Sequence, residues 1–74
     1  GESIVVTDPD VMSGAPVFRG TRVPVASLFE YLAAGDSLES FLDGFPTVTR
    51  AMAMAAIAEA SQALTEAHGA HSSR

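Results

Sequence analysis

The sequence contains no cysteine, no lysine and no tryptophan among its 74 residues. Without cysteine it cannot form a disulfide, and a domain of this length buries only about 60% of the surface that its unfolded chain exposes. Oligomerisation or a bound partner is then the remaining source of stability, so we expect a homodimer. The lack of cysteine is also typical of proteins in a reducing compartment, and we expect a cytoplasmic location.

Two classes of function are disfavoured by what is missing. The longest apolar run, AMAMAAIA at residues 51–58, is too short to cross a bilayer, so we expect no membrane partner. No nucleophile stands beside a base, and the two histidines, His68 and His71, are separated by Gly69 and have no third ligand next to them. We therefore predict that the protein is not an enzyme and uses no cofactor and no metal ion.

The protein is acidic, with a net charge of −5. It has only four cationic side chains apart from histidine, and all four are arginines. A negative field repels a polyanion unless the cations are concentrated on one face or doubled by symmetry. Arg19 and Arg22 lie close together, whereas Arg50 and Arg74 lie far along the chain. A basic surface would therefore be small, and a dimer would double it.

Two short strands are predicted in the first third of the chain. SIVVT at residues 3–7 is a β-branched run followed by a turn sequence, and PVFR at residues 16–19 is a second apolar run bounded by glycine and proline. Prolines 9, 16 and 24 cannot donate the hydrogen bonds of a strand ladder, which keeps the sheet small. We predict a small antiparallel β element over residues 3–24.

From residue 25 onward the apolar spacing becomes that of helices. A first helix that ends at Gly35 is predicted from the apolar residues at positions 25, 28, 29, 32 and 33. DSLE at residues 36–39 has the form of a capping box, with Asp36 as the N-cap and Glu39 reaching back to it. It predicts a second helix that ends before Pro46 and carries these residues inward: Leu38, Phe41, Leu42 and Phe45.

A third helix is predicted over residues 50–66, with Thr49 as its N-cap. Its apolar stripe consists of Ala53, Ile57, Ala60 and Leu64, and Glu59, Gln62 and Glu66 are predicted to lie away from that stripe. The many alanines permit close approach of a second helix, as at a dimer seam, although alanine is also the best helix former.

Together these elements predict an α+β fold that is mainly α. One domain is expected over residues 3–66, with the three-helix unit at residues 25–66 and a flexible tail at residues 67–74. Three helices with a short break between the second and third are the outline of a helix-turn-helix unit. In such a unit the start of the third helix reads DNA, here with Thr49 on a phosphate and Arg50 on a base.

The stretch DPDVMSGAPVFRGTRVPVASLFEYLAAGDSLESFLDGFPTVT resembles the bacterial domain-of-unknown-function family numbered 433, many of whose members are regarded as VapB-like antitoxins of type II toxin-antitoxin pairs. The resemblance covers residues 4 to about 64 and rests on these residues: Pro9, Gly14, Pro16, Gly20, Thr21, Arg22, Pro24, Val25, Gly35 and Pro46. It implies a homeodomain-like three-helix unit after a β element, a toxin partner with a PIN-like nuclease fold, and DNA binding for autoregulation. The chain departs from the family pattern at Asp8, where histidine is common, and in RAMAM at residues 50–54, which replaces an acidic pair.

The loop before the first helix raises the question of which residues are structural. Gly20 is predicted to supply a positive φ in a turn, and Thr21 either braces that turn or contacts a phosphate. Arg22 is either held by a carboxylate such as Glu30 or Asp43, the interpretation we favour slightly, or left free to grip a phosphate or an acidic toxin site. Arg19 has less need of a structural partner and is predicted to make a functional contact.

The predicted function follows from these residues and the resemblance together. We expect an antitoxin that neutralises a PIN-like nuclease toxin by direct binding and autoregulates its operon by binding operator DNA as a dimer. The candidate DNA-binding residues are Arg19, Thr21, Arg22, Thr49 and Arg50. Glu30 and Tyr31 are expected to be solvated or part of an interface. The alternative is a protein-only interaction or scaffold module that does not bind DNA.

Overall fold

The computed structural model describes residues 2–68 and contains two short strands followed by three helices. Strand β1 (Val5–Val6) pairs antiparallel with β2 (Val17–Phe18), with Val5 opposite Phe18. Each strand is shorter than its apolar run, and the chain turns soon after β1, where Asp8 forms an isolated bridge with Val11. The predicted small antiparallel element is confirmed.

The chain after β2 folds back on itself in a tight turn. The Thr21 N–H donates to the Phe18 carbonyl at 3.0 Å, and Gly20, the third residue of that turn, has φ = +79°. The Thr21 hydroxyl donates to the same carbonyl at 2.8 Å and accepts from the Val23 N–H at 3.0 Å. The predicted positive φ of Gly20 is therefore confirmed, as is the bracing role of Thr21.

Helix α1 (Val25–Ala33) begins directly after Pro24 and ends in a Schellman motif. The Gly35 N–H donates to the Leu32 carbonyl and the Asp36 N–H donates to the Tyr31 carbonyl, at 3.0 and 2.9 Å. Gly35 has φ = +91°, a conformation that a residue without a Cβ adopts at no steric cost. The predicted stop at Gly35 is confirmed.

Helix α2 (Leu38–Gly44) starts one residue later than the capping box predicts. Its N-cap is Ser37, whose hydroxyl oxygen accepts from the Ser40 N–H at 3.0 Å. The assignment of Asp36 as N-cap is wrong, because the backbone of Asp36 belongs to the turn that closes α1. Ser37 has the extended backbone that an N-cap requires.

Helix α3 (Arg50–His68) is the longest element, at 19 residues or about 28 Å. Thr49 caps it as predicted, since its hydroxyl oxygen accepts from the Met52 N–H at 3.1 Å. The Thr49 N–H in turn donates to the Met52 thioether sulfur at 3.4 Å, which completes the two-way arrangement of a capping box with sulfur in place of a carboxylate. The helix includes Ala67 and His68, and the remainder of the predicted tail, residues 69–74, lies outside the described residues.

The core lies where β2 and the three helices meet. Its buried members are Phe18, Val25, Leu28, Phe41, Val48, Ala53 and Ala56. Phe41 is fully buried, with its ring centroid 4.8 Å from Phe45, 5.5 Å from Tyr31 and 6.2 Å from Phe18. The expectation that Tyr31 faces solvent or an interface is wrong, because α2 packs against the side of α1 that carries Tyr31. The fold is α+β and mainly helical, as predicted.

None of the helices within residues 2–68 combines the length and apolar character that a membrane-spanning segment requires.

Candidate functional site

The five residues predicted to bind DNA occupy different surroundings rather than one patch. Arg19 contacts the N-terminal residues, Thr21 and Arg22 line a groove, and Thr49 and Arg50 form the start of α3. The partners of each side chain determine what it can bind.

Arg19 is held by the N-terminal segment. Its Nε and Nη2 atoms donate to the Ser3 carbonyl at 3.0 and 2.7 Å, and Nη1 lies 3.5 Å from a carboxylate oxygen of Glu2. The pairing of β1 with β2 brings the Ser3 carbonyl beside Arg19, a contact that local sequence does not reveal. The prediction that Arg19 is the freer of the two loop arginines is therefore wrong.

Glu59 of α3 ties the same N-terminal segment to the helix. Its Oε1 accepts from the Ser3 hydroxyl at 2.5 Å, and its Oε2 accepts from the Ile4 N–H at 2.9 Å. We call this arrangement the Ser3–Glu59 clamp. Glu59 was predicted to lie away from the apolar stripe of α3, and the segment of Ser3 and Ile4 that leads into β1 contacts the helix on this other side. No signal in the sequence identifies a contact between residues so far apart.

The clamp makes the stability of the domain sensitive to acid. The hydrogen bonds from the Ser3 hydroxyl and the Ile4 N–H, in that order, lower the pKa of Glu59 below its ordinary value of 4.5, and Arg19 adds a smaller effect. Because the folded-state pKa is the lower one, the ionised clamp stabilises the fold above about pH 4.5 and this contribution is lost as pH falls through the folded-state value.

We expect Glu59→Gln to lower the melting temperature near neutral pH and to match the wild type at acidic pH. The neutral amide resembles the protonated carboxyl, so the difference between the two proteins should shrink as pH falls below about 4.5. Thermal unfolding followed by circular dichroism from pH 7 to pH 3 measures this difference. The control is Glu66→Gln, at an exposed position near the end of α3. A difference in melting temperature between Glu59→Gln and wild type that stays constant from pH 7 to pH 3 would contradict the clamp.

Thr21 and Arg22 lie at an open groove of about 620 Å³, which we call the Arg22 groove. It lies between the turn after β2 and the connection from α2 to α3, and its lining residues are Val11, Gly20, Thr21, Arg22, Val23, Pro24, Phe45 and Thr47. Within residues 2–68, Arg22 forms no ion pair and no side-chain hydrogen bond, and it is exposed. The structural tie to Glu30 or Asp43 that we favoured for Arg22 is therefore wrong.

Arg50, the first residue of α3, pairs with Glu39 of α2. Both side chains are more than half exposed, so this ion pair contributes little to stability and can open for a competing anion. The neighbouring Thr49 hydroxyl is occupied as the cap acceptor, although its donor capacity remains. The start of α3 thus presents a guanidinium and a hydroxyl to solvent beside one carboxylate.

The second half of α3 is a separate surface. Every residue from 61 to 67 is exposed, including Leu64, whose exposed fraction is 63%. Leu64 continues the helix face that carries buried Ala53 and half-buried Ile57 and Ala60, at spacings of three and four residues. The predicted apolar stripe thus runs from the core at Ala53 to the exposed Leu64. We call the exposed continuation of this stripe, centred on Leu64, the distal face of α3.

Residues 2–68 contain no group of three or more His, Cys, Asp or Glu side chains placed to hold a metal ion. His71, considered above as a ligand, lies outside the described residues.

The chain is similar to known proteins in both sequence and structure. The model of the family described as "Protein of unknown function (DUF433)" matches residues 5–60. An uncharacterized protein, y4eO, of Sinorhizobium fredii is 47% identical over 45 residues, which are 61% of this chain and 20% of that protein. A crystal structure of a DUF433 member protein from Anabaena variabilis superposes with a TM-score of 0.71 at 28% identity, covering 82% of this chain and 60% of that one. This chain therefore spans only part of the length of either relative.

Proposed function

This chain belongs to the DUF433 family, described as of unknown function, and we propose that it is the antitoxin of a bacterial type II toxin-antitoxin pair. In this proposal it neutralises a PIN-like nuclease by direct binding between the two proteins. Support comes first from the family pattern, whose residues from Pro9 to Pro46 all fall within the matched region. Neutralisation by contact also requires a surface suited to another protein.

The distal face of α3 is the observation that carries the proposal. Leu64 is 63% exposed, yet it lies on the helix face that carries buried Ala53 and half-buried Ile57 and Ala60 one to three turns earlier. A helix with an apolar stripe at this spacing is suited to lie in a groove of a partner protein. Leu64 extends the apolar stripe of α3 beyond the core, and a partner protein lying against this face would cover it.

We expect Leu64→Asp to abolish neutralisation while leaving the domain folded. A carboxylate in the middle of an apolar contact loses its hydration without gaining a hydrogen-bond partner. Truncation of a buried interface anchor by itself already lowers the binding free energy by about 2 kcal/mol or more. The measurement is growth of cells that express a PIN-like nuclease gene adjacent to the gene of this chain, with and without each variant. Binding of the purified pair gives the same comparison in vitro.

The matched control is Thr65→Asp, which adds the same charge at the next residue, about 100° around the helix. Both positions are exposed in the isolated chain, so neither variant should change its melting temperature much. The proposal fails if Leu64→Asp and Thr65→Asp neutralise equally well, or if wild-type chain does not restore growth.

Operator binding by a homodimer is the second candidate function, and the exposed Thr49 and Arg50 at the start of α3 favour it. The supply of cations is small, because Arg19 is engaged by the Ser3 carbonyl and Arg50 by Glu39. A dimer that uses Arg22 and Arg50 of both copies reaches about four phosphates, which corresponds to a slope of log affinity against log salt of about −3.5. All three arginines of both copies would give a slope near −5.

We expect the purified chain to bind DNA from its own promoter region as two copies, with the shallower of these two slopes. Fluorescence anisotropy over a range of salt concentrations measures the slope, and sedimentation of the complex counts the copies. Arg50→Gln should weaken binding and reduce the slope, while Glu30→Gln, a control on the exposed side of α1, should not weaken it. Absence of binding at low salt would remove this candidate and leave a module that binds protein alone.

A further inference from the structure

We propose that the Arg22 groove binds an extended segment of a partner protein, with a carboxylate of that segment on Arg22 and an apolar side chain against Pro24 and Phe45. The inference rests on the proposed function only for the identity of the partner. It names a second contact surface, formed by different residues from the distal face of α3.

The groove has fixed walls. Phe45 is held in the aromatic cluster, with its ring centroid 4.8 Å from Phe41 and 5.8 Å from Tyr31. On the opposite side, Pro24 forms a bridge with Val17, and the Thr21 hydroxyl bonds to backbone atoms on both sides of the turn. A surface that is already ordered loses little conformational entropy on binding, which favours affinity for a short segment.

The dimensions and chemistry of the groove suit a peptide. Its volume of about 620 Å³ lies within the range of sites that hold small ligands or a few residues of chain. Valine, proline and phenylalanine side chains supply apolar contact, and the hydroxyls of Thr21 and Thr47 with the Arg22 guanidinium supply polar groups. Such mixed walls match an alternation of apolar and acidic side chains better than they match a sugar-phosphate backbone.

Charge complementarity identifies the acidic group. In the described part of the chain, Arg19 and Arg50 each have an oxygen partner, whereas Arg22 has none. A guanidinium offers donors in a fork that fits a carboxylate with two parallel hydrogen bonds. The nearest groups on the same turn, Gly20 and Thr21, carry no negative charge that would compete for it. A phosphate of DNA is the other anion to consider, but duplex binding needs several cations, and Arg22 stands in the groove without a second one.

The test is a titration of the ¹⁵N-labelled chain with the tripeptide acetyl-leucyl-aspartyl-leucine amide, followed by two-dimensional NMR. We expect saturable shifts of the amide signals of residues 20–23, 45 and 47, since Pro24 and Pro46 have no amide proton. The asparaginyl tripeptide, which keeps the shape but removes the charge, should bind at least about tenfold more weakly. Arg22→Gln should weaken binding of the aspartyl probe to a similar degree, while Arg50→Gln, which removes the same charge from a side chain that does not line the groove, should leave it unchanged.

Several outcomes would overturn the inference. They are the absence of saturable shifts at millimolar probe, shifts centred elsewhere, and equal affinity for the two probes. A fourth is that a short DNA duplex shifts the groove residues in an Arg22-dependent manner while the aspartyl probe does not, which would assign the groove to nucleic acid. The titration needs no nuclease, so its result is independent of the growth experiment, and failure of one is distinguishable from failure of the other.

Discussion

Phe41→Ala is expected to destabilise the domain by about 3–5 kcal/mol, which is a large part of the total stability of a small domain. Phe41 is fully buried and contacts three other aromatic rings, on β2, α1 and the end of α2. Removal of its ring leaves a cavity where those elements meet, and the elements are too short to close it by local movement. The melting temperature should fall by more than about 12 °C, and the variant is expected to be largely unfolded at 37 °C.

Thermal and urea unfolding followed by circular dichroism measure this loss. Phe29→Ala removes the same number of atoms from a half-buried position on α1 and serves as the control. It should cost clearly less than Phe41→Ala, since part of its ring is already in water. Equal losses for the two variants would mean that the aromatic cluster around Phe41 is not the centre of the core.

Gly20→Val is expected to cost about 1–3 kcal/mol, through backbone strain rather than through steric contact. Gly20 has φ = +79°, which a β-branched residue adopts only at a large cost, and a Cβ built at this position meets nothing within 4 Å. The turn that contains Gly20 also positions Arg22, so relief of the strain would distort the Arg22 groove. The predicted result is a lower melting temperature together with weaker binding of the acidic tripeptide.

Gly20→Asn separates strain from the mere presence of a side chain. Asparagine tolerates left-handed backbone angles better than valine, so it should retain most of the stability that valine loses. The free energy of unfolding from urea titration ranks the three proteins. If asparagine and valine cost the same, or if valine costs nothing, the backbone at residue 20 relaxes in solution and the turn is not a rigid part of the groove.

The sequence predicts those features of the fold that depend on neighbouring residues. The stop of α1 at Gly35 and the start of α3 after Thr49 both follow from which residue types satisfy the free backbone groups of a helix end. The α2 start is displaced by one residue because Asp36 and Ser37 are both acceptable N-caps. The choice is settled by the preceding Schellman motif, which uses the Asp36 N–H.

The candidate site is predicted less well, because it depends on contacts between distant segments. Composition shows that arginines are scarce, but not which ones already have partners. Arg19 is engaged because β1 brings the Ser3 carbonyl beside it, and Arg22, although only three residues away, points to a different side of the turn and lies free in the described structure. Helical spacing places Glu59 away from the apolar stripe but does not reveal its partners, and only the path of the N-terminal segment before β1 makes it a structural residue.

The Ser3–Glu59 clamp also has a consequence for modular architecture. It joins the segment that leads into the first strand to the last helix, and Glu2 borders the same hollow as Gln62 and Glu66. The segment that enters the fold therefore lies beside the second half of the helix that leaves it. Units whose entering and leaving segments are neighbours can be placed beside other polypeptide without stretching the connections. The S. fredii and A. variabilis proteins are both longer than the region they share with this chain, which is such a context.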